Sequence, residues 1–278
     1  MDTQRLLAGL DRMWFSRAGR GVRSAAAEAF GLAAPVWCLG CRAQEHRPGE
    51  ELCADCTADF RAMTARPFRA EGHAEALPVT GIQSPPAAGD GLMVLPAYAA
   101  GFYSTLVSEL VIRFKDDERI RLRPLLAAAL SRSLAAAAED LLPPVGAVDS
   151  GALLIWPPAS LRSRIRRGRC PVTELVTACQ LPAGCTPTTG LVRPSGSVIT
   201  AVTGDAQKTR SKRRRRQAGS QFILTPGAAE RLSGADVLLI DDVLTTGATL
   251  AALYGVLTAA GARVHAAAVL AATPPAGW

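Results

Sequence analysis

The chain has 278 residues, 49% of them hydrophobic, and a formal net charge of +7. This length can bury a substantial core and suffices for one large domain and a small one. The ordinary apolar fraction excludes disorder of the whole chain, and no apolar run is long enough to span a bilayer. Seven cysteines, an odd number, do not suit a disulfide framework, so we expect a soluble protein of the reducing cytoplasm.

The first 35 residues precede every motif that carries chemistry. Their apolar residues follow a helical spacing but are interrupted by charged side chains, which is not the pattern of a secretory signal. We predict an N-terminal helical extension over residues 1–35, which docks on the protein itself or on a partner.

Two CxxC pairs follow this extension. Their members are Cys38, Cys41, Cys53 and Cys56. Each pair can direct two thiolates to one point, and four thiolates form a closed tetrahedral site for structural Zn²⁺. Unligated thiols or a redox pair are the alternative reading of the same spacing. The sequence predicts a four-cysteine zinc module over residues 36–64, followed by a linker or insertion over residues 65–93, where Pro, Gly and Ala are frequent.

The remainder of the chain alternates predicted helices and strands. Helical patterns cover residues 106–114, 122–138, 172–179 and 249–260, and strand patterns cover residues 153–156, 190–193, 236–240 and 263–271. This alternation predicts an α/β domain over residues 94–278 with a right-handed, doubly wound parallel sheet. In open sheets of this kind, ligands bind beyond the carboxyl ends of the strands.

Positive charge is concentrated in one block of the chain. Residues 161–217 contain 13 Arg and Lys against two acidic residues, a local net charge of +11, so the rest of the chain carries −4. Such a block can neutralise pyrophosphate, grip a nucleic-acid backbone or simply form a solvated surface. The run from Lys212 to Arg216 has no interleaved aromatic residues, so it does not indicate base stacking.

The most informative stretch is residues 237–250, which read VLLIDDVLTTGATL. A buried strand pattern ends at Asp241 and Asp242. The small and hydroxyl residues that follow are Thr245, Thr246, Gly247, Ala248 and Thr249. Free N–H groups at a helix start suit a phosphate monoester, and carboxylates, which only accept hydrogen bonds, suit a sugar diol. A sugar phosphate satisfies both halves, although an ordinary strand–loop–helix turn is the simpler alternative.

Residues 240–249 resemble the phosphoribosyl-pyrophosphate (PRPP) signature of type I phosphoribosyltransferases. With a four-cysteine module ahead of it, the chain from about Val36 onward resembles the ComF family, known from bacterial DNA uptake. Further family-like stretches are residues 98–103 and 112–115, Pro157-Pro158 with Arg162, Arg164 and Arg167-Gly168, residues 207–215, and Phe222.

The resemblance implies transfer of a phosphoribosyl group to a nitrogen nucleophile as magnesium pyrophosphate leaves. Asp241 and Asp242 would be the catalytic acids that orient the ribose hydroxyls, and Thr245 to Thr249 would hold the 5′-phosphate. On the pyrophosphate side stand Arg162, Arg164 and Arg167. Mg²⁺ would be bound mainly by the pyrophosphate and the diol.

The sequence also departs from the family pattern beside this stretch. Where Phe-Asn-Gln is usual after Arg167-Gly168, the chain has Arg169-Cys170-Pro171. The departure favours a rival hypothesis, in which a non-catalytic DNA-uptake protein binds single-stranded DNA or a helicase-type partner through its basic block and zinc module. A third hypothesis is a regulator that senses PRPP without chemistry.

Overall fold

The computed structural model describes residues 37–43, 50–80, 93–117, 119–142, 151–159, 168–195 and 221–274. The predicted N-terminal extension lies outside the described residues. The chain divides into two compact units, residues 1–59 and residues 60–278. No helix in the described part of the chain has the length and apolar character needed to cross a membrane.

Ten strands and six α-helices make up the described secondary structure. The strands are β1 (Phe68–Arg69), β2 (Val79–Thr80), β3 (Met93–Val94), β4 (Ala97–Phe102), β5 (Ala152–Ile155), β6 (Cys185–Pro187), β7 (Val192–Pro194), β8 (Phe222–Leu224), β9 (Asp236–Leu244) and β10 (Arg263–Ala272). The helices are α1 (Ala54–Met63), α2 (Thr105–Asp116), α3 (Arg123–Leu141), α4 (Pro171–Ala178), α5 (Ala228–Leu232) and α6 (Ala248–Ala259). Two short 3₁₀ helices cover Glu71–His73 and Ile120–Leu122.

A six-stranded sheet forms the centre of the larger unit, with the strand order β1-β4-β10-β9-β5-β6. Neighbouring strands from β4 to β6 are parallel, and only the edge strand β1 is antiparallel to its neighbour. Two smaller antiparallel pairs, β2 with β3 and β7 with β8, complete the strands. The predicted α/β class with a mainly parallel sheet is thereby confirmed.

Helices cover both faces of the sheet. Alternate strand residues point to opposite sides, and those on both sides are apolar and buried. Val237 and Leu239 of β9 belong to one buried cluster with residues of α6. The intervening Leu238 is also fully buried, on the side where α3 contacts β4, β9 and β10. On that side, the hydroxyl of Tyr98 in β4 donates a hydrogen bond of 2.5 Å to Asp140 of α3. The result is a three-layer α/β/α arrangement.

The predicted elements omitted two strands of the central sheet, β4 and β6, and β9 extends through Leu244 rather than ending at Ile240. From Ala266 onward, after a register shift between Val264 and Ala266, β10 keeps one register with β9, pairing Val269 with Asp241 and Ala271 with Val243. The ladder between the two strands therefore continues past the apolar run, and the two acids are strand residues. Within the stretch 65–93, predicted as a linker or insertion, the described residues add β1 to the edge of the sheet.

Candidate functional site

The candidate site lies where the order in which strands are added to the sheet reverses. From β5 the chain moves outward to β6, and it later returns to place β9 on the other side of β5. Such a reversal opens a crevice at the carboxyl ends of the two central strands, where ligands of open α/β sheets bind. Asp241 and Asp242 lie in the carboxyl half of β9, at this end of the sheet.

The two acids of β9 have different partners. The Asp241 Oδ1 atom accepts a hydrogen bond of 2.9 Å from the backbone N–H of Asp242. The Asp242 Oδ2 atom lies 2.7 Å from the Nζ atom of Lys115, which is in the last turn of α2. Among the described residues, no donor meets the second oxygen of either carboxylate. Within the described part of the chain, one oxygen of each acid thus has its acceptor capacity unused.

The charge state of Asp241 follows from its surroundings. Burial and the neighbouring charge of Asp242 raise the pKa of Asp241 to about 7, while the Asp242 N–H and the Lys115 ammonium act to lower it. A carboxyl group with this pKa is only partly ionised at neutral pH. Holding two acids at this position thus carries an electrostatic cost, which is typical of functional sites.

The loop after β9 presents backbone donors. Gly247 caps α6 in the left-handed conformation, with φ of +81°, and its carbonyl accepts from the N–H of Ala251 at 2.9 Å. The Thr246 hydroxyl accepts a long hydrogen bond of 3.4 Å from the N–H of Ala248. The first N–H groups of a helix lack acceptors within the helix, so this end of α6 suits an anion. Thr245, Thr246 and Gly247 form the loop after β9, and Ala248 and Thr249 begin α6, while their binding of a phosphate stays a prediction.

A neighbouring segment closes over this loop. The N–H of Ala76 donates to the Thr246 carbonyl at 2.8 Å. A Cβ atom on Gly247 would lie 2.7 Å from the Cγ atom of Leu77. Gly247 is therefore required both for its positive φ and for this close approach.

We expect Gly247→Ala to destabilise the protein by about 2 kcal/mol, because a Cβ atom is strained at this φ and clashes with Leu77. Gly255→Ala is the matched control within the same helix, since a Cβ atom there has no neighbour within 4 Å. The control should be neutral or stabilising by up to about 1 kcal/mol. Chemical denaturation measures both variants, and equal stabilities would contradict the assigned loop geometry.

A cavity of about 530 Å³ opens beside the carboxyl end of β5. Trp156 forms part of its wall, and the indole N–H donates to the Thr173 hydroxyl at 2.9 Å. Pro158, from the predicted pyrophosphate stretch, also lines the cavity. Arg162, Arg164 and Arg167 lie outside the described residues, as does the basic run at 207–216. Their assignment to pyrophosphate stays a prediction.

The smaller unit gathers its four cysteines at one point. The Sγ atoms of Cys38, Cys41, Cys53 and Cys56 all lie within 4.8 Å of one another. Cys41 and Cys53 are separated by 3.8 Å between sulfurs. Tetrahedral coordination with Zn–S bonds of about 2.3 Å requires sulfur separations of about 3.8 Å, so this donor set fits Zn²⁺.

Backbone N–H groups of the same segment favour the thiolate form of Cys38. Burial acts to raise the pKa of Cys38, but hydrogen bonds from the backbone N–H groups of Cys53 and Cys41 outweigh it and lower the pKa to about 6. The N–H of Cys53 lies 3.3 Å from the Cys38 sulfur. Burial raises the pKa of Cys56, a cost that a bound cation would remove.

Two residues of the site were missed as partners by sequence reasoning. In the sequence, Lys115 belongs to a family-like stretch, and Arg169 belongs to the basic block and to the departure from the family pattern. In the structure, Lys115 contacts Asp242, and Arg169 contacts Phe114, the residue before Lys115. No local pattern links Lys115 to an acid so distant in the sequence.

Known proteins resemble the chain over part of its length. No family model matches it. Over 52 residues, 19% of the chain, it is 48% identical to adenine phosphoribosyltransferase of Mycolicibacterium gilvum (strain PYR-GCK) and 52% identical to that of Nocardia farcinica (strain IFM 10152). The matched segments span 29% and 27% of those enzymes, less than a third of each.

A solved structure, that of the allosteric regulatory enzyme of purine biosynthesis, covers 51% of this chain at 19% identity with a TM-score of 0.27, and 25% of that protein is covered. The sequence matches establish a phosphoribosyltransferase-like relation for part of the chain. Membership of the ComF family stays a prediction.

Proposed function

We propose that the chain binds PRPP and transfers its phosphoribosyl group to a nitrogen nucleophile with release of pyrophosphate. One arrangement carries this proposal. At the point where the strand order of the parallel sheet reverses, Asp241 and Asp242 are followed by a small-residue loop and then by the N-terminus of α6. This arrangement offers acceptors to a diol and donors to a phosphate. The relation to phosphoribosyltransferases supports the same ligand.

The residues of the chain would act mainly by positioning and by charge stabilisation. The first N–H groups of α6 and the hydroxyls of Thr245, Thr246 and Thr249 bind the 5′-phosphate. Asp241 and Asp242 accept hydrogen bonds from the ribose hydroxyls through the oxygens that have no partner among the described residues. Mg²⁺ bound with the pyrophosphate would neutralise the leaving group. Arg162, Arg164 and Arg167 would line the pyrophosphate, and the protein would act in the cytoplasm.

We further propose that Cys38, Cys41, Cys53 and Cys56 hold a structural Zn²⁺ ion. Their sulfur separations support this assignment. Four thiolates fill a tetrahedral site, so the metal would stabilise the fold rather than take part in chemistry.

The second candidate function is a non-catalytic one, binding of single-stranded DNA or of a DNA-uptake partner. The local charge of +11 over residues 161–217 favours it. Nucleic-acid affinity of this origin falls steeply with salt concentration and does not depend on Asp241 and Asp242.

We expect replacement of both acids, Asp241→Asn with Asp242→Asn, to weaken PRPP binding about 100-fold or more, because each lost charge-assisted hydrogen bond costs about 1.5–3 kcal/mol. Calorimetry with PRPP and magnesium measures the effect. Glu230→Gln, which changes an exposed acid of α5, is the control and should bind as the wild type does. Unchanged affinity in the double variant would contradict the ribose assignment.

A further inference from the structure

Lys115 brings a positive charge from a distant helix to the acid pair. Its Nζ atom lies 2.7 Å from Asp242 Oδ2, and the two side chains are 25% and 12% exposed. A contact that is largely shielded from water is stronger than an ordinary surface ion pair. Lys115 also acts on the second acid, since its charge opposes the rise in the pKa of Asp241.

The end of α2 that carries Lys115 is held by a second basic residue. The Arg169 side chain donates a hydrogen bond of 2.8 Å to the carbonyl of Phe114, and its guanidinium lies 4.6 Å from the centre of the Phe114 ring. Its other nitrogens bind both carboxylate oxygens of Glu174 in α4, at 2.9 and 2.5 Å. The backbone beside Lys115 is thus tied to the start of α4, which favours one placement of the ammonium group.

We propose that Lys115 is a positioning residue of the phosphoribosyl site, a resident cation that acts through Asp242 and lowers the dependence of ligand binding on magnesium. The inference rests on the proposed function. PRPP brings several negative charges next to two carboxylates, and this repulsion must be offset by cations. Magnesium offsets part of it when it enters with the pyrophosphate. Lys115 offsets another part permanently, because the fold holds it on Asp242.

The same contact orients the acid. With Oδ2 committed to Lys115, Asp242 presents its Oδ1 atom to a hydroxyl of the ligand. Asp242 then has one oxygen for the sugar and one for the cation. This division of roles places Lys115 on the side of Asp242 away from the sugar hydroxyl.

The test compares PRPP affinity with magnesium and with a chelator of divalent cations, by calorimetry. In Lys115→Met, we expect removal of magnesium to weaken binding about tenfold more than it does in the wild type. Lys115→Arg should restore most of the wild-type behaviour, because it returns the charge. Lys115→Gln is a second neutral variant, and it decides the question if Lys115→Met does not fold.

The matched control is Arg113→Met in the same helix turn. Arg113 pairs with Glu109 and Asp117 on the exposed side of α2, so this variant also loses ion pairs while leaving the acid pair untouched. It should retain the wild-type magnesium dependence. A purely structural role of Lys115 would reduce stability and affinity without changing the ratio of affinities with and without magnesium.

The outcomes separate the two proposals. If the wild type binds PRPP and the double Asp variant binds it about 100-fold or more weakly, the proposed site stands. Equal magnesium dependence in Lys115→Met, Lys115→Gln and the wild type would then overturn the role of Lys115 alone. If the folded wild type does not bind PRPP under either condition, the proposed function itself fails.

Discussion

Removal of zinc by a strong chelator is expected to unfold the unit that carries the four cysteines. Within its described residues, only Cys38, Leu52 and Cys56 are buried, and two of these three are proposed ligands. So small a core cannot offset the conformational entropy of the segment, whereas structural Zn²⁺ supplies about 10–16 kcal/mol in small zinc-binding peptides. Hydrogen exchange of residues 37–43 and 50–59, before and after chelation, measures the loss.

Single cysteine variants make this prediction specific. Cys38→Ser should reduce bound zinc from one ion per chain to a small fraction, as read by elemental analysis. Cys185→Ser is the control, because Cys185 lies in β6 and is not a member of the cluster. This variant should retain the full metal content. A zinc-free wild type with protected amides in residues 50–59 would show that the cysteines form no structural metal site.

Asp241→Asn is expected to stabilise the protein above neutral pH while it weakens PRPP binding. The pKa of Asp241 is raised to about 7, chiefly by burial and by Asp242. In the unfolded chain this group ionises near pH 4, so the wild type loses stability as the pH rises from about 4 to 7. Asparagine does not titrate and retains the oxygen that accepts from the Asp242 N–H. The gain should be up to about 4 kcal/mol at pH 8 and small at pH 4.

The opposite result is expected at the other end of the same strand. Asp236 is fully buried and bonds to Arg263 at 2.8 Å through both oxygens, and also to His265. The hydrogen bonds from Arg263 lower the pKa of Asp236, so its contribution to stability is present at neutral pH and is lost as the pH falls through this lowered value. Asp236→Asn should cost about 3 kcal/mol at pH 7.

Urea denaturation at pH 4 and pH 8 distinguishes the two acids. Replacing a structural acid destabilises the fold. Replacing a functional acid that the fold holds at an energetic cost stabilises it. Destabilisation by Asp241→Asn at pH 8 would place Asp241 with Asp236 among the structural residues.

The sequence by itself determined the features that are written in short, contiguous patterns. Alternating apolar segments predicted the parallel α/β sheet, because strand and helix periods are local properties of the chain. The loop from Thr245 to Thr249 and the paired cysteines were likewise predicted from neighbouring residues. In each case the required groups lie within a few positions of one another, so that local geometry alone brings them together.

Only the tertiary structure decided which distant residues complete these features. It extended β9 through Asp241 and Asp242, because the ladder with β10 continues past the apolar run. It placed Leu77 against Gly247 and Lys115 against Asp242. These contacts join segments that are far apart in the chain, and their presence depends on how helices and loops pack around the sheet. The charge state of Asp241 depends on the same packing, because burial and the positions of Asp242 and Lys115 together determine its pKa.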